Sequence, residues 1–439
     1  MKKIFKYLFG ILGLILILIL LMSVFHICPP AGPWPTPPWC GSKSFEKRLY
    51  RMDVKAEKLD QVKSVNMSDT WGRNYNMSMV ETTRANIKSS FDRVRDIGAK
   101  EVFVHDFSRA VYKGDTDFKS LNYKIVNETF WNDFRDESMS KRDLSTLAKE
   151  AHERGLLLGI KHNMSFVDIG KYIKEGISGN GDIDKSVAKD RDAFNESHTK
   201  EWIEDYFSKW QSRMIERATM YQKAGVDIMS ISPSFMPPSF AHNEELSNTL
   251  YKNLISEVRK VFKGKIYAEV DLYGLLDGNN RDEDWNKYDF YKDADIKEVR
   301  IYNLPTKYQT KDSVDREKIK IAIEKLVKDL DAKAGEKGIR LSIFFAPSSY
   351  ENAINLGPVE VLDKNNEKIK NLKVDFDGQA NSFQYMLESL KNTKNIERIN
   401  VGNFAWDDAL DGDVAPRISI NATFRNKPAE ELIKTWFSK

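Results

Sequence analysis

The same two-part pattern repeats eight times along this chain: a short apolar run, then a longer amphipathic stretch. Val62–Met67 leads to Arg84–Ile97, Glu101–His105 to Leu144–Arg154, Leu156–Ile160 to Trp202–Lys223, and Val226–Ile231 to Glu244–Phe262. Ile266–Val270 leads to a short helix near Trp285–Lys292, Glu298–Tyr302 to Lys318–Ala334, Ile339–Phe345 to Gln379–Leu390, and Ile396–Val401 to Ala429–Phe437. Short apolar runs bounded by turn residues read as buried strands, and the stretches between them carry helical periodicity. Strands that alternate with helices pair in parallel through right-handed crossovers, and eight such units close into an α/β barrel more readily than they extend an open sheet. Gly98, Gly155, Gly225 and Gly338 stand where four of the helices must stop in left-handed backbone, which sets the phase of the pattern.

The predicted (β/α)8 barrel, residues 59–439, follows two segments of different character. Lys2, Lys3 and Lys6 precede an apolar run from Tyr7 to Phe25, close to the ~20 residues that span a bilayer. A cleaved signal peptide has a shorter apolar core and a small-residue cleavage site, and Phe25-His26-Ile27 before Cys28 is no lipoprotein signal. Residues 1–27 are therefore expected to form a cytoplasmic stub and a transmembrane anchor. The lysines before the span place the body on the extracytoplasmic side of the cell membrane, as a single-pass protein. Residues 28–58 read as a Pro-rich spacer bearing Cys28 and Cys40, the only cysteines. They either close a disulfide, which an oxidising compartment would preserve, or remain thiols on a stiff polyproline segment.

Several chemistries are set aside. Lys and Arg total 68 against 65 acidic residues, too balanced for a groove that neutralises many phosphates, so no nucleic acid is expected. No strand is followed by Gly-x-Gly-x-x-Gly or a Walker A sequence, so no nucleotide is expected either. With 6 His and no His-x-x-x-His or His-Glu-x-x-His spacing, neither a metal nor another cofactor is predicted. The Gly-x-Ser-x-Gly elbow of a serine hydrolase is absent from the sequence.

In such a barrel the C-terminal strand ends and the loops after them form the active face. Read in strand order, that face collects Trp71; His105, Asp106 and Arg109; Lys161, His162 and Asn163; Glu269 and Asp271; Tyr302; and Asn403, Trp406 and Asp408. Carboxylates and amides bind hydroxyls, and Trp71, Tyr302 and Trp406 offer faces for sugar rings, so the expected partner is carbohydrate. Glycoside hydrolysis needs two carboxylates, ~5–5.5 Å apart for retention or ~6.5–9.5 Å for inversion. Glu269, Asp106, Asp271 and Asp408 are the candidates. Glu269 and Asp271 lie two residues apart on one strand face and approach from one side, so a pair joining Glu269 to Asp106 or Asp408 across the mouth suits the chemistry better. Each has a structural alternative: Asp106 pairing with Arg109 or loop amides, Asp271 capping a turn, Asp408 in a solvated loop.

Three segments, Ala151–His162, Ala224–Ile231 and Asn426–Phe437, resemble the barrel glycoside hydrolases of the β-mannanase type. The resemblance spans nearly the whole body but carries few motifs. It implies a (β/α)8 hydrolase whose acid/base follows strand four in a Gly-Thr-Glu-like step and whose nucleophile ends strand seven in a Thr-Glu-like step. This chain has Ser232-Pro233-Ser234 and Phe345-Ala346-Pro347-Ser348 at those places. Three readings stay open: a hydrolase with relocated carboxylates, an inactive barrel that binds envelope or extracellular glycan, or a strand register displaced by a few residues, with Glu351 the nearest acid after strand seven; the expected function is glycoside hydrolysis by two carboxylates, with glycan binding as the alternative.

Overall fold

The computed structural model describes residues 54, 56–67, 80–112, 123–126, 139–168, 199–232, 244–274, 280–282, 289–310, 315–357, 371–406 and 420–439. The expected anchor, the Cys28–Cys40 spacer, Trp71 and Asp408 lie outside these residues. No helix among the described residues is long and apolar enough to cross a membrane.

Strands β1 (Val62–Met67), β2 (Glu101–Tyr112), β4 (Leu157–Asp168), β5 (Ile228–Ser230), β6 (Lys265–Gly274), β8 (Ile296–Ile301), β9 (Leu341–Phe345) and β10 (Ile396–Phe404) pair in parallel, each with the next. β1 pairs with both β2 and β10, which closes the barrel predicted from the eightfold pattern. Two antiparallel strands depart from it: β3 (Tyr123–Val126) pairs with the far end of β2, and β7 (Asn280–Asp282) with that of β6. β2 and β4 remain paired from Glu101 and Leu157 out to Tyr112 and Asp168, well past His105 and His162, where the apolar runs stop.

Helices α1 (Val80–Ile97), α2 (Lys141–His152), α3 (Lys200–Ala224), α4 (Glu244–Val261), α5 (Arg316–Lys337), α6 (Ala353–Leu356), α7 (Phe376–Leu390) and α8 (Pro428–Phe437) cover the strands. The short helix expected near 285–292 is a 3-10 segment, Asp289–Asp293. Local chemistry sets the helix ends. Ser140 and Asp143 form a reciprocal capping box on α2, and Thr199 accepts from Trp202 N at the start of α3. α3 buries Trp202, Ile203, Tyr206, Phe207, Trp210, Met214, Ala218 and Tyr221 on one face. Burial of each large side chain on that face stabilises by about 1.5–3 kcal/mol.

All four predicted stop glycines have positive φ. At Gly98 (φ 98°), a Cβ would lie 2.9 Å from the Phe437 carbonyl oxygen, whereas at Gly155 (φ 70°) it would meet nothing within 4 Å. Gly155→Ala is expected to cost about 1 kcal/mol through backbone strain alone, and Gly98→Ala about 2–3 kcal/mol because α8 must also shift. Urea denaturation of the two variants side by side measures the difference.

Candidate functional site in the barrel lumen

Strand alternation decides which side chains reach the lumen. On β6, Tyr267, Glu269 and Asp271 point inward; on β8, Ile296, Glu298 and Arg300 do so, with Phe344 on β9 and Asn400 on β10 beside them. Lys161 of β4 enters from the opposite wall. Its ammonium lies 3.3 Å from Glu269 and 3.1 Å from Glu298, and 5.6, 5.0 and 4.7 Å from the ring centres of Phe103, Tyr267 and Phe344. The cation is thus held both by carboxylates and by aromatic faces.

The two glutamates are bridged a second time by the Tyr267 hydroxyl, which is 2.8 Å from Glu269 Oε2 and also contacts Glu298 Oε1. Burial, then the charges of Glu269 and Glu298, push the Tyr267 phenol well above its ordinary value, so it keeps its single proton, which it donates to one carboxylate or shares between the two. Glu298 Oε2 accepts from Ser342 Oγ at 2.9 Å and Asn400 Nδ2 at 3.1 Å. Arg300 donates to Asp271 Oδ1 at 2.6 Å and to Glu269 Oε1 at 3.3 Å. Glu269, Glu298 and Asp271 are 4%, 0% and 3% exposed. They form the floor of the mouth, compensated by Lys161 and Arg300, and do not stand as an open pair facing a substrate.

Above the floor is a rim in which Asn66 is buried and His105, Asn403 and Tyr302 are half-buried. Asn66 Nδ2 donates to Asn403 Oδ1 at 2.9 Å and lies 3.3 Å from His105 Nε2, which links β1, β2 and β10. Tyr302, just after β8, sets its ring edge-on to Phe344 with centroids 5.2 Å apart. Of the residues expected at the mouth, the structure therefore gathers Lys161, Glu269, Asp271, His105, Asn403 and Tyr302. Arg109 and Asn163 lie in β2 and β4, and their side chains are outside the described set.

Three expected site residues stand elsewhere. Asp106 and His162 were assigned to the mouth, but each follows a lumen-facing residue by one position and so faces outward, beneath α3. Asp106 accepts from Tyr221 OH at 2.5 Å, from Met139 N at 2.8 Å and from the Arg217 guanidinium. Among the described residues its guanidinium partner is Arg217, and the Met139 amide matches the loop-amide role expected of it. His162 Nδ1 is 2.7 Å from Tyr221 OH and 3.3 Å from Asp106 Oδ2, and its Nε2 is 2.8 Å from Ser108 Oγ. The order Ser108, His162, Asp106 imitates a nucleophilic triad, but all three are fully buried and Ser108 Oγ accepts from Arg213 Nε at 2.8 Å. This network docks a helix. Trp406, expected as a sugar platform, is also fully buried, with its ring 6.0 Å from Phe91 of α1.

The strand ends where β-mannanase-type enzymes keep their carboxylates have other uses here. Ser230 Oγ accepts from His162 N at 2.8 Å and Ser232 Oγ from Glu269 N at 3.3 Å, which ties β5 to its neighbours. After β9, Ala346 packs with Phe344 and Ala422. Glu351 is on the surface, 3.6 Å from Lys373, so a shifted register at strand seven does not bring it to the lumen.

Glu298 and Tyr267 were not singled out from sequence, whereas Arg300 was expected, with Lys161, as a counter-ion of Glu269. Their signal was present: in Ile296-Lys-Glu-Val-Arg300, Glu298 and Arg300 fall on the same face as the apolar Ile296, opposite the equivalent alternation Tyr267, Glu269, Asp271. Two adjacent strands with charges at alternate positions predict pairing within a lumen.

No protein-family model matches the chain, and no curated protein matches it in sequence. Solved structures do. A glycoside hydrolase family 113 β-1,4-mannanase is similar at TM-score 0.54 and 13% identity, over 87% of this chain and 99% of that one. The family 113 β-mannanase of Alicyclobacillus acidocaldarius is similar at TM-score 0.52 and 12% identity, over 88% and 99%. A glycoside hydrolase family 5 mannosidase from Rhizomucor miehei is similar at TM-score 0.54 and 11% identity, over 88% and 93%. At such identities the likeness shows the fold, and the resemblance read from sequence holds at that level.

Proposed function

We propose that this chain is a glycan-binding barrel of the glycoside hydrolase fold, held at the outer face of a cell membrane by residues 1–27 and a spacer of residues 28–58. One observation carries the reading: Glu269, Glu298 and Asp271 are buried and joined to Lys161, Arg300 and Tyr267. A general acid must exchange a proton with the leaving oxygen, and a nucleophile must reach the anomeric carbon. Carboxylates engaged with cations below the mouth are poorly placed for either role, whereas the half-buried His105, Asn403 and Tyr302 offer hydrogen bonds and an aromatic surface to a sugar. The named mannan enzymes of the same fold make β-1,4-linked hexose chains the first ligands to try.

A second reading, hydrolysis, rests on Glu269 and Glu298 lying side by side on one Tyr267 hydroxyl, two carboxylates within reach of each other. One experiment separates the two. The full chain in detergent is incubated with mannan, cellulose, xylan and chitin oligosaccharides and polysaccharides, and both retention and new reducing ends are scored beside Glu269→Gln. Retention of at least one glycan without reducing ends is expected. Reducing ends that vanish in Glu269→Gln establish a hydrolase instead, and the absence of both retention and release overturns the carbohydrate reading.

A further inference from the structure

The rim holds a hydrogen-bond acceptor with nothing to accept. Asn66 is 2% exposed, and its amide nitrogen is fully used, donating to Asn403 Oδ1 at 2.9 Å and Met67 O at 3.1 Å, with His105 Nε2 also 3.3 Å away. Those partners fix the amide's orientation, because both Asn403 Oδ1 and the Met67 carbonyl can only accept. The Asn66 side-chain oxygen is buried, with no donor to it among the described residues. One step deeper on the same wall, the Asn400 side chain repeats this arrangement: its nitrogen donates to Glu298 Oε2 at 3.1 Å and its oxygen is buried with no partner among the described residues. Buried polar atoms are nearly always hydrogen-bonded, so two orphaned acceptors on neighbouring strands mark a place where a donor belongs.

From this we infer that Asn66 is the specificity residue of the mouth and that it accepts a hydrogen bond from one hydroxyl of the bound sugar. The inference rests on the proposed carbohydrate reading and narrows it. The pocket selects a group that donates, which an alcohol does and an ether or deoxy position does not. His105 and Asn403, half-buried on either side of Asn66, flank that hydroxyl. Asn403 also holds the amide in place through its own Oδ1. Lys161, Glu269 and Glu298 lie below, where the Lys161 ammonium already contacts both carboxylates. Discrimination follows from Asn66 because its oxygen gains a partner only when the hydroxyl is there; a ligand lacking it leaves that oxygen buried and unpaired.

The test titrates the full chain in detergent with β-1,4-mannotetraose and β-1,4-cellotetraose, then with mono-deoxygenated forms of whichever binds. Loss of at least about tenfold in affinity is expected for one deoxy position and little for the others. In Asn66→Leu, which keeps the branched side-chain shape but removes the acceptor, the parent sugar should bind about tenfold more weakly and the deoxy analogue should no longer be penalised. Circular dichroism and melting temperature establish that the variant is folded. Should Asn66→Leu fail to fold, the deoxy series on the wild type still decides. Equal affinity across all deoxy forms overturns the inference while leaving carbohydrate binding intact, as does an Asn66→Leu protein that binds and discriminates like the wild type. If the wild type binds neither tetraose, the inference falls together with the reading it rests on.

Discussion

Lys161→Met is expected to lower the free energy of unfolding by about 3–5 kcal/mol, the usual cost of removing one partner from a buried ion pair. Lys161 is 2% exposed and its ammonium is the nearest cation to Glu298, which is fully buried. Methionine fills similar space against Phe103, Tyr267 and Phe344, so little of the loss would come from a cavity. What remains is the Glu298 charge, with hydroxyl and amide donors but no cation, while Glu269 keeps Arg300. The second half of the prediction isolates that cause. In a Lys161→Met background, Glu298→Gln should restore much of the lost stability, whereas Glu298→Gln alone should destabilise, so the two changes are strongly coupled. Urea denaturation of the four proteins closes the cycle. A Lys161→Met protein within about 0.5 kcal/mol of wild type, inside the range of a surface substitution, would mean that water reaches the lumen floor, and the carboxylates would then be open to a substrate.

How far the sequence could be read depended on which physical signal each feature leaves. The eight strands and most helices were legible because burial imposes period and length on apolar residues, and because Gly98, Gly155, Gly225 and Gly338 occupy backbone that other residues resist. Facing was harder. His105 and Asp106 are neighbours, as are Lys161 and His162, and in each pair the first enters the lumen while the second turns beneath α3. A strand end read as a polar cluster cannot be divided until its parity is anchored, and Phe103, which packs in the lumen with Tyr267 and Ile228, is the anchor. The counter-signal lay on α3, where Arg213, Arg217 and Tyr221 recur every four residues on an otherwise apolar face. A helix does not bury two arginines and a tyrosine against a barrel unless the strands opposite present acceptors. Trp406 illustrates the reverse case: an aromatic residue after the last strand suits a sugar platform or a core equally well, and only the approach of Phe91 decides between them.

The seam beneath α3 should give way to acid in two stages. Burial lowers the His162 imidazole below its ordinary value, against the opposing pull of Asp106, so the folded protein keeps it neutral. The unfolded chain takes up that proton as pH falls through ~6.5, and because the unfolded state then binds more protons, stability drops from that point downward. Asp106 acts lower on the scale. Burial alone would raise its carboxyl, but Arg217, then His162 and Tyr221, outweigh burial and hold it below the usual carboxylate range. Its contribution is complete above the unfolded value of ~3.9 and is lost as pH falls below it toward the depressed folded value. Urea midpoints measured from pH 8 to pH 3 should therefore begin to decline near pH 6.5 and decline again below pH 4. His162→Gln should remove the upper decline. Asp106→Asn should remove the lower one and, at neutral pH, cost about 3–5 kcal/mol by leaving Arg217 buried without its counter-charge. A midpoint that stays flat from pH 8 to pH 5 in the wild type would refute a neutral buried His162. The same residues that sequence reading placed in the mouth would then owe their chemistry to something other than the seam, because a helix docked through Arg213, Arg217 and Tyr221 onto Ser108, His162 and Asp106 cannot take up protons without loosening.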